Sequence, residues 1–256
     1  MEGKTETVPM SITEAVELDC LRRAGRVVAE ALRAMEEAVS PGVTTGELDF
    51  IAERIFRHYG AVSAPRKFYN FPGSTCISIN EEAVHGIPGA RKIRPGDVVK
   101  LDVTVDLEGW VADAAVTVLV EPIRPIARRL AQCSKDALTE ALKVAHVGAP
   151  VYRIGRRVQD CVERQGFRVL RMLCGHGVGR SIHEEPVVPN FYDPAYSTLL
   201  KDGMVLTIEP IIAISTEEVN KLDDGWTLST QDKSLSAHFE HTLCITPNGP
   251  QILTCL

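Results

Sequence analysis

Four apolar stretches of this chain each carry a carboxylate where a buried strand would not want one. In VVKLDVTVD, residues 98–106, the alternate positions Val99, Leu101, Val103 and Val105 are all apolar. Period-two alternation turns those side chains into a core and Asp102 onto the other face. In VADAAVTVLV, residues 111–120, Asp113 and Thr117 share a face. MVLTIEPII, residues 204–212, buries Met204, Leu206 and Ile208 and turns Glu209 away. HFEHTLCIT, residues 238–246, buries Phe239, Leu243 and Ile245 and turns His238, Glu240, Thr242 and Thr246 the other way. Any one of these acids alone reads as an exposed side chain on a solvated face. Four that converge would repel one another, and each would lose several kcal/mol on burial unless paired. Cations between them remove both penalties.

A softer donor completes such a set, and CGHGVGRSIHEEP, residues 174–186, offers His176 and His183. Gly175, Gly177 and Gly179 flank His176 and allow close backbone approach. GHGVG is a poor dinucleotide loop, because the third glycine is misplaced and no βαβ unit follows. Four carboxylates with imidazole suit two divalent ions such as Mn, Fe, Co or Zn. Two ions about 3.5–4 Å apart activate a water held between them and polarise a carbonyl, which is hydrolytic chemistry.

The elements that must position these residues repeat. Gly42 and Gly60 are 18 residues apart, as are Gly148 and Gly166, at an offset of 106. The same shift takes Ala31-Leu32 to Ala137-Leu138 and Leu48 to Ile154. Gly96 to Asp102 parallels Gly203 to Glu209 at an offset of 107, so both strands carry an acid at the same step. A repeat of about 100 residues predicts two similar halves. Helical spacing runs from Ser11, expected to cap with Glu14 as its box partner, to a stop near Pro41-Gly42. A second helix is expected from a Thr45 cap to Gly60. The order of elements favours an α+β fold in which the halves share one sheet with helices packed on one side. The joint falls at Pro122 to Pro125. Residues 1–10 are expected to be a disordered lead-in to a single catalytic domain, 11–256, with halves of about 11–121 and 126–250.

Composition narrows the function further. The chain has 256 residues, 45 % hydrophobic and 24 % charged, with a formal net charge of -6. That balance fits a globular protein and not a nucleic-acid binder, which needs basic patches. Seven scattered cysteines form no CxxC, so neither a zinc knuckle nor a redox pair is signalled. The polar N-terminus and the lack of an apolar run near 20 residues point away from secretion and membranes, and so to the cytoplasm.

PGVTTGELD (41–49), CISINEEAVHGIPG (76–89), LDVTVDLEGWVADAA (101–115), GHGVGRSIHEEP (175–186), GMVLTIEP (203–210) and DGWTLSTQDKSLSAHFEHT (224–242) together resemble the type I methionine aminopeptidases, in their short bacterial form. The resemblance runs from about Ser11 to Gly249. It implies a pita-bread fold: two pseudo-symmetric halves sharing a curved antiparallel sheet, helices on the outer side. It implies two divalent metal ions (Co, Mn, Fe or Zn) on Asp102, Asp113, His176, Glu209 and Glu240. It also implies that His183 steadies the oxyanion, that His85 contacts the scissile amide, and that Glu209 doubles as a proton shuttle. The methionine pocket it implies comprises Phe68, Phe71, Cys76, Ile182 and Trp226 beside His85 and His183. Phe68 and Phe71 stand where Tyr is frequent, Ile182 where Phe is frequent, and Val84 where Cys is frequent. The implied reaction is removal of the initiator methionine from chains whose second residue is small. The implied partners are the N-termini of nascent polypeptides, met at the ribosome by a monomeric enzyme, with no nucleic-acid site and no membrane. Two alternatives share the fold: a proline-specific aminopeptidase, whose kind usually has an extra N-terminal domain, and a non-catalytic binding relative that has lost ligands.

Overall fold

A computed structural model describes Ile12 and residues 14–256; the expected lead-in and the Ser11 cap lie outside them. The first half runs α1 (Ala15–Ala38), α2 (Thr45–Tyr59), β1 (Val62–Ser63), α3 (Ala64–Tyr69), β2 (Cys76–Ile79), β3 (Glu82–Val84), β4 (Val98–Leu107) and β5 (Trp110–Leu119). The second runs α4 (Pro125–Leu142), α5 (Tyr152–Arg164), β6 (Arg168–Val169), β7 (Gly175–Gly177), β8 (Glu184–Val188), β9 (Val205–Ile208), β10 (Ile211–Ala213), β11 (Val219–Lys221), β12 (Leu228–Thr230), β13 (Ser236–His238), β14 (Glu240–Thr246) and β15 (Gly249–Ile252).

The helix starts shift from their predicted places. Glu14 itself caps α1 in a reciprocal box with Glu17. In α2 the cap is Thr44, not Thr45, because the box needs its glutamate three residues on: Glu47 N–H donates to Thr44 Oγ1 and Thr44 N–H to Glu47 Oε2. The four repeat glycines all hold left-handed backbone, at φ 96° for Gly42, 68° for Gly60, 82° for Gly148 and 81° for Gly166. Their spacing is therefore a repeat of chain turns that side chains with a Cβ rarely adopt.

The largest sheet has the order β1-β4-β5-β14-β9-β7-β8, with β2 added at β4 and β15 at β14. All its pairings are antiparallel. Its central hairpin, β4–β5, pairs ten residues on each side. β5 meets β14 at Ala115 and Glu240, the seam between halves. Val99, Leu101, Val103 and Val105 of β4 join α1 and α2 in one core; Leu206, Ile208, Leu243 and Ile245 join α4 and α5 in the other. Both helix pairs thus cover the outer face of a curved sheet, leaving the inner face for the acids, and this is the pita-bread architecture.

Two predicted strands are broken in two. MVLTIEPII changes sheet at Glu209-Pro210, between β9 and β10; HFEHTLCIT changes sheet at Phe239, between β13 and β14. β10 and β13 continue the pairing in a separate three-stranded sheet, Ile211 opposite His238. Pro210 supplies no N–H for a ladder, which ends β9 there. Glu209 and Glu240 both sit at these breaks.

Candidate metal centre

Strand register brings the acids together. Asp102 on β4 faces Ala115 on β5, and Ala115 faces Glu240 on β14. The three side chains form a row across the inner face, with the smallest in the middle. Asp113 shares that face, two residues from Ala115. His241 pairs with Ile208, so Glu209 follows directly beyond the ladder, beside Glu240. Asp113, Glu209 and Glu240 are buried and Asp102 is partly so. The solvated-face reading of these acids fails: the inner face is covered.

Threonines hold this arrangement. Thr242 accepts from Asp113 N–H and donates to Asp113 C=O, at 2.9 and 2.7 Å. Thr117 does the same for His238, at 2.9 and 2.7 Å. These two hydroxyls continue the β5–β14 pairing on either side of Glu240, where backbone bonds stop. Thr207 accepts from His176 N–H and donates to Glu209 Oε1 at 2.7 Å. Asn190 donates to Glu209 C=O at 2.9 Å, tying down the end of β9.

His176 lies on β7. Its Nδ1 meets Gly177 C=O at 2.9 Å, and a carbonyl can only accept, so Nδ1 carries the proton and Nε2 keeps a lone pair. That Nε2 lies 3.5 Å from Glu209 Oε1. The flanking glycines serve strand packing: a Cβ on Gly177 would stand 2.2 Å from Glu185 C=O, and one on Gly175 2.6 Å from Thr207 C=O.

Burial dominates the electrostatics. It raises the carboxyls of Asp102, Glu209 and Glu240 well above their usual range, and neighbouring acids push the same way. It brings Asp113 up to about 7. It lowers the imidazoles of His176 and His238 to about 3. Among the described residues no hydrogen-bond partner reaches Asp113 Oδ1, Glu240 Oε1 or either ring nitrogen of His238. Asp113, His176 and Glu240 place ligand atoms within 4.8 Å of one another, as do Glu209, His238 and Glu240. Acids that burial and mutual repulsion hold protonated would be ionised by a divalent cation between them, and neutral imidazoles and orphaned carboxylate oxygens are the donors such a cation takes. The residues fit two ions, with Glu240 common to both groups.

Above the acids is a cavity of about 320 Å³. Phe71, Cys76, Ile182 and Trp226 line it together with His85 and His183. Phe71 and Trp226 meet edge to face at 5.2 Å between centroids. Trp226 comes from the turn between β11 and β12, and β12 pairs with β3 beside His85. His85 takes a left-handed φ of 58°, which turns it out of β3. His176 and His183 rings lie 4.3 Å apart. Val84 also lines the cavity.

Phe68 is not among the cavity residues. Short helix α3 carries it into an apolar cluster with Trp110 and Ile182. Its neighbour Tyr69 lines the cavity instead, its hydroxyl 2.7 Å from His183 Nδ1. One helical step of about 100° separates the two faces. Sequence reasoning also missed His238 as a site residue, although its period-two alignment with Glu240 was the available signal.

Residues 19–247 match metallopeptidase family M24. A methionine aminopeptidase of Clostridium perfringens is 42 % identical over 240 residues, 94 % of this chain and 96 % of that protein. Methionine aminopeptidase 2 of Bacillus subtilis is 41 % identical, over 96 % of this chain and all of that one. The crystal structure of a Thermotoga maritima methionine aminopeptidase superposes with a TM-score of 0.93 at 36 % identity, over 96 % of this chain and 100 % of that chain. A Pyrococcus furiosus prolidase shares the fold, with a TM-score of 0.77 at 24 % identity, this chain covering 65 % of it. Four carboxylates and an imidazole lining one cavity, on a fold matched over nearly the whole chain, place this chain in metallopeptidase family M24, on its type I methionine aminopeptidase branch.

Proposed function

We propose that this chain removes the initiator methionine from polypeptides whose second residue is small, using two divalent ions. The observation that carries the reading is one cavity lined both by Asp102, Asp113, His176, Glu209 and Glu240 and by Phe71, Cys76, Ile182 and Trp226, with Asp113, His176, Glu209 and Glu240 in the two groups that could hold an ion. When bound, the ions would supply Lewis acidity, lowering the pKa of water and polarising a carbonyl. Glu209, steadied by the Thr207 hydroxyl, accepts the proton of the attacking water. His183 donates a ring N–H to the carbonyl oxygen as it gains charge. His85, on the cavity wall, contacts the leaving amide. The apolar wall takes the methionine side chain, with sulfur–aromatic contact contributing about 0.3–1.5 kcal/mol. Phe71 and Trp226 are the rings in place for that contact.

The substrates are N-termini of nascent polypeptides, met at the ribosome, and the enzyme works as a monomer in the cytoplasm. The absence, among the described residues, of a helix long and apolar enough to cross a membrane agrees with that setting. The test is cleavage of Met-Ala-Ser and Ala-Pro peptides by protein of measured metal content. Release of methionine alone supports the proposal. Preference for Ala-Pro reassigns the chain to proline-specific peptidases, and inactivity against both, with metal bound, to a binding role.

A further inference from the structure

We propose that His238 is a sixth protein ligand of the dinuclear centre, so that each ion is held by one imidazole: His176 on one, His238 on the other. This goes beyond the five ligands that the family resemblance implies, and it rests on the dinuclear reading of the site.

His238 is 2 % exposed and lines the cavity. A buried imidazole normally satisfies at least one ring nitrogen within the protein. Here neither does. The nearest acid, Glu240, has Oε2 3.3 Å from His238 Nε2, too poorly aligned to count as a hydrogen bond. The backbone of His238 is pinned on both sides by Thr117, so the ring is held in place. Glu209 and Glu240 supply the remaining ligand atoms of its group, all within 4.8 Å. The second group, Asp113 with His176, is joined to the first through Glu240. A structural histidine would have its hydrogen bonds, and a residue that only orients Glu240 would be well aligned with it. An orphaned imidazole among orphaned carboxylate oxygens has the donor chemistry of a ligand.

The extra nitrogen has a consequence for metal choice. Imidazole suits Co, Fe and Zn better than carboxylate does, whereas oxygen donors suit Mn and Mg. His238 therefore biases its ion toward the first group.

The test loads the full chain with two equivalents of Co²⁺ and locates the ions crystallographically by anomalous scattering. A His238 ring nitrogen at about 2.0–2.3 Å from one ion is expected, the range of metal–imidazole bonds. Two bound ions with His238 more than about 3 Å from both overturn the proposal and leave the dinuclear reading intact. Failure to bind any Co²⁺ overturns both. In parallel, Co²⁺ and Mn²⁺ titrations compare the native chain with His238→Gln and His238→Asn. The weaker Co²⁺ site should lose more affinity than the about 10–100-fold that removal of a partner outside the ligand shell costs. Mn²⁺ should lose less. Unchanged Co²⁺ affinity in folded variants counts against ligation.

Discussion

The Tyr69 hydroxyl stands 2.7 Å from His183 Nδ1. A phenol that donates to Nδ1 leaves the ring proton on Nε2, where it can be donated to a developing oxyanion. Tyr69→Phe should therefore lower kcat by about tenfold with little change in KM, while His183→Ala should lower it by about 10²–10³. Metal content should be unchanged in both; loss of metal in His183→Ala would move that residue into the ligand shell. Glu209→Gln is different in kind, because the same side chain ligates and moves a proton. It should lose both metal and turnover, read by elemental analysis beside the peptide assay. Ile182 is 4 % exposed and lines the cavity. Ile182→Phe should raise the ratio of kcat/KM for Met-Ala-Ser over Leu-Ala-Ser, since it adds a ring beside the sulfur. An unchanged ratio would show that Phe71 and Trp226 already set the selectivity.

At the scale of elements, the seam between β5 and β14 is short in backbone bonds and long in consequence. Its ladder registers Glu240 with Ala115 and His241 with Ala114. Thr242 and Thr117 extend it with side-chain hydroxyls. Thr242→Val keeps the shape and leaves the buried Asp113 N–H without a partner. The expected cost is about 1–3 kcal/mol by denaturant unfolding of the metal-free protein. Metal affinity should fall as well, because Asp113 is displaced from the row. A variant as stable as the native chain, with equal affinity, would mean that the strand pairing alone carries the seam.

For the molecule as a whole, the buried acids tie stability to metal and pH. Asp113 is raised to about 7, and Asp102, Glu209 and Glu240 are raised well above their usual range. A raised folded-state pKa gives stability that is present below the unfolded value and lost as pH rises through the folded one. The depressed imidazoles act oppositely, but only below about 6.5, where the unfolded chain protonates. Above that pH the four raised carboxyls are opposed by Lys100 alone, which burial lowers to about 7. Because four acids outnumber one lysine, the metal-free protein should lose thermal stability as pH rises from about 6.5 past about 7, where Asp113 titrates, while the metal-loaded protein should not. Chelation should cost most at the upper end. A metal-free Tm that stays level or rises across this window would mean that the acids do not carry protons in the folded state.

Much of this was legible in the chain, for reasons that are local. Period-two alternation around Asp102 and Glu240 depends only on strand geometry, and the glycine repeat depends only on backbone turns that need φ above zero. The ligand types and the two-half architecture therefore followed from sequence. Tertiary structure decided what required knowing where a strand ends and what lies across from it. Glu209 and Glu240 sit where chains change sheet, which no alternation reveals. Tyr69 and not Phe68 reaches the cavity, because the six-residue helix that carries both turns them to different faces. His238, two residues from Glu240, became a candidate ligand when burial left its ring without partners. The row of Asp102, Ala115 and Glu240, and the burial around it, depend on residues far apart in the chain, and only the folded molecule brings those within reach.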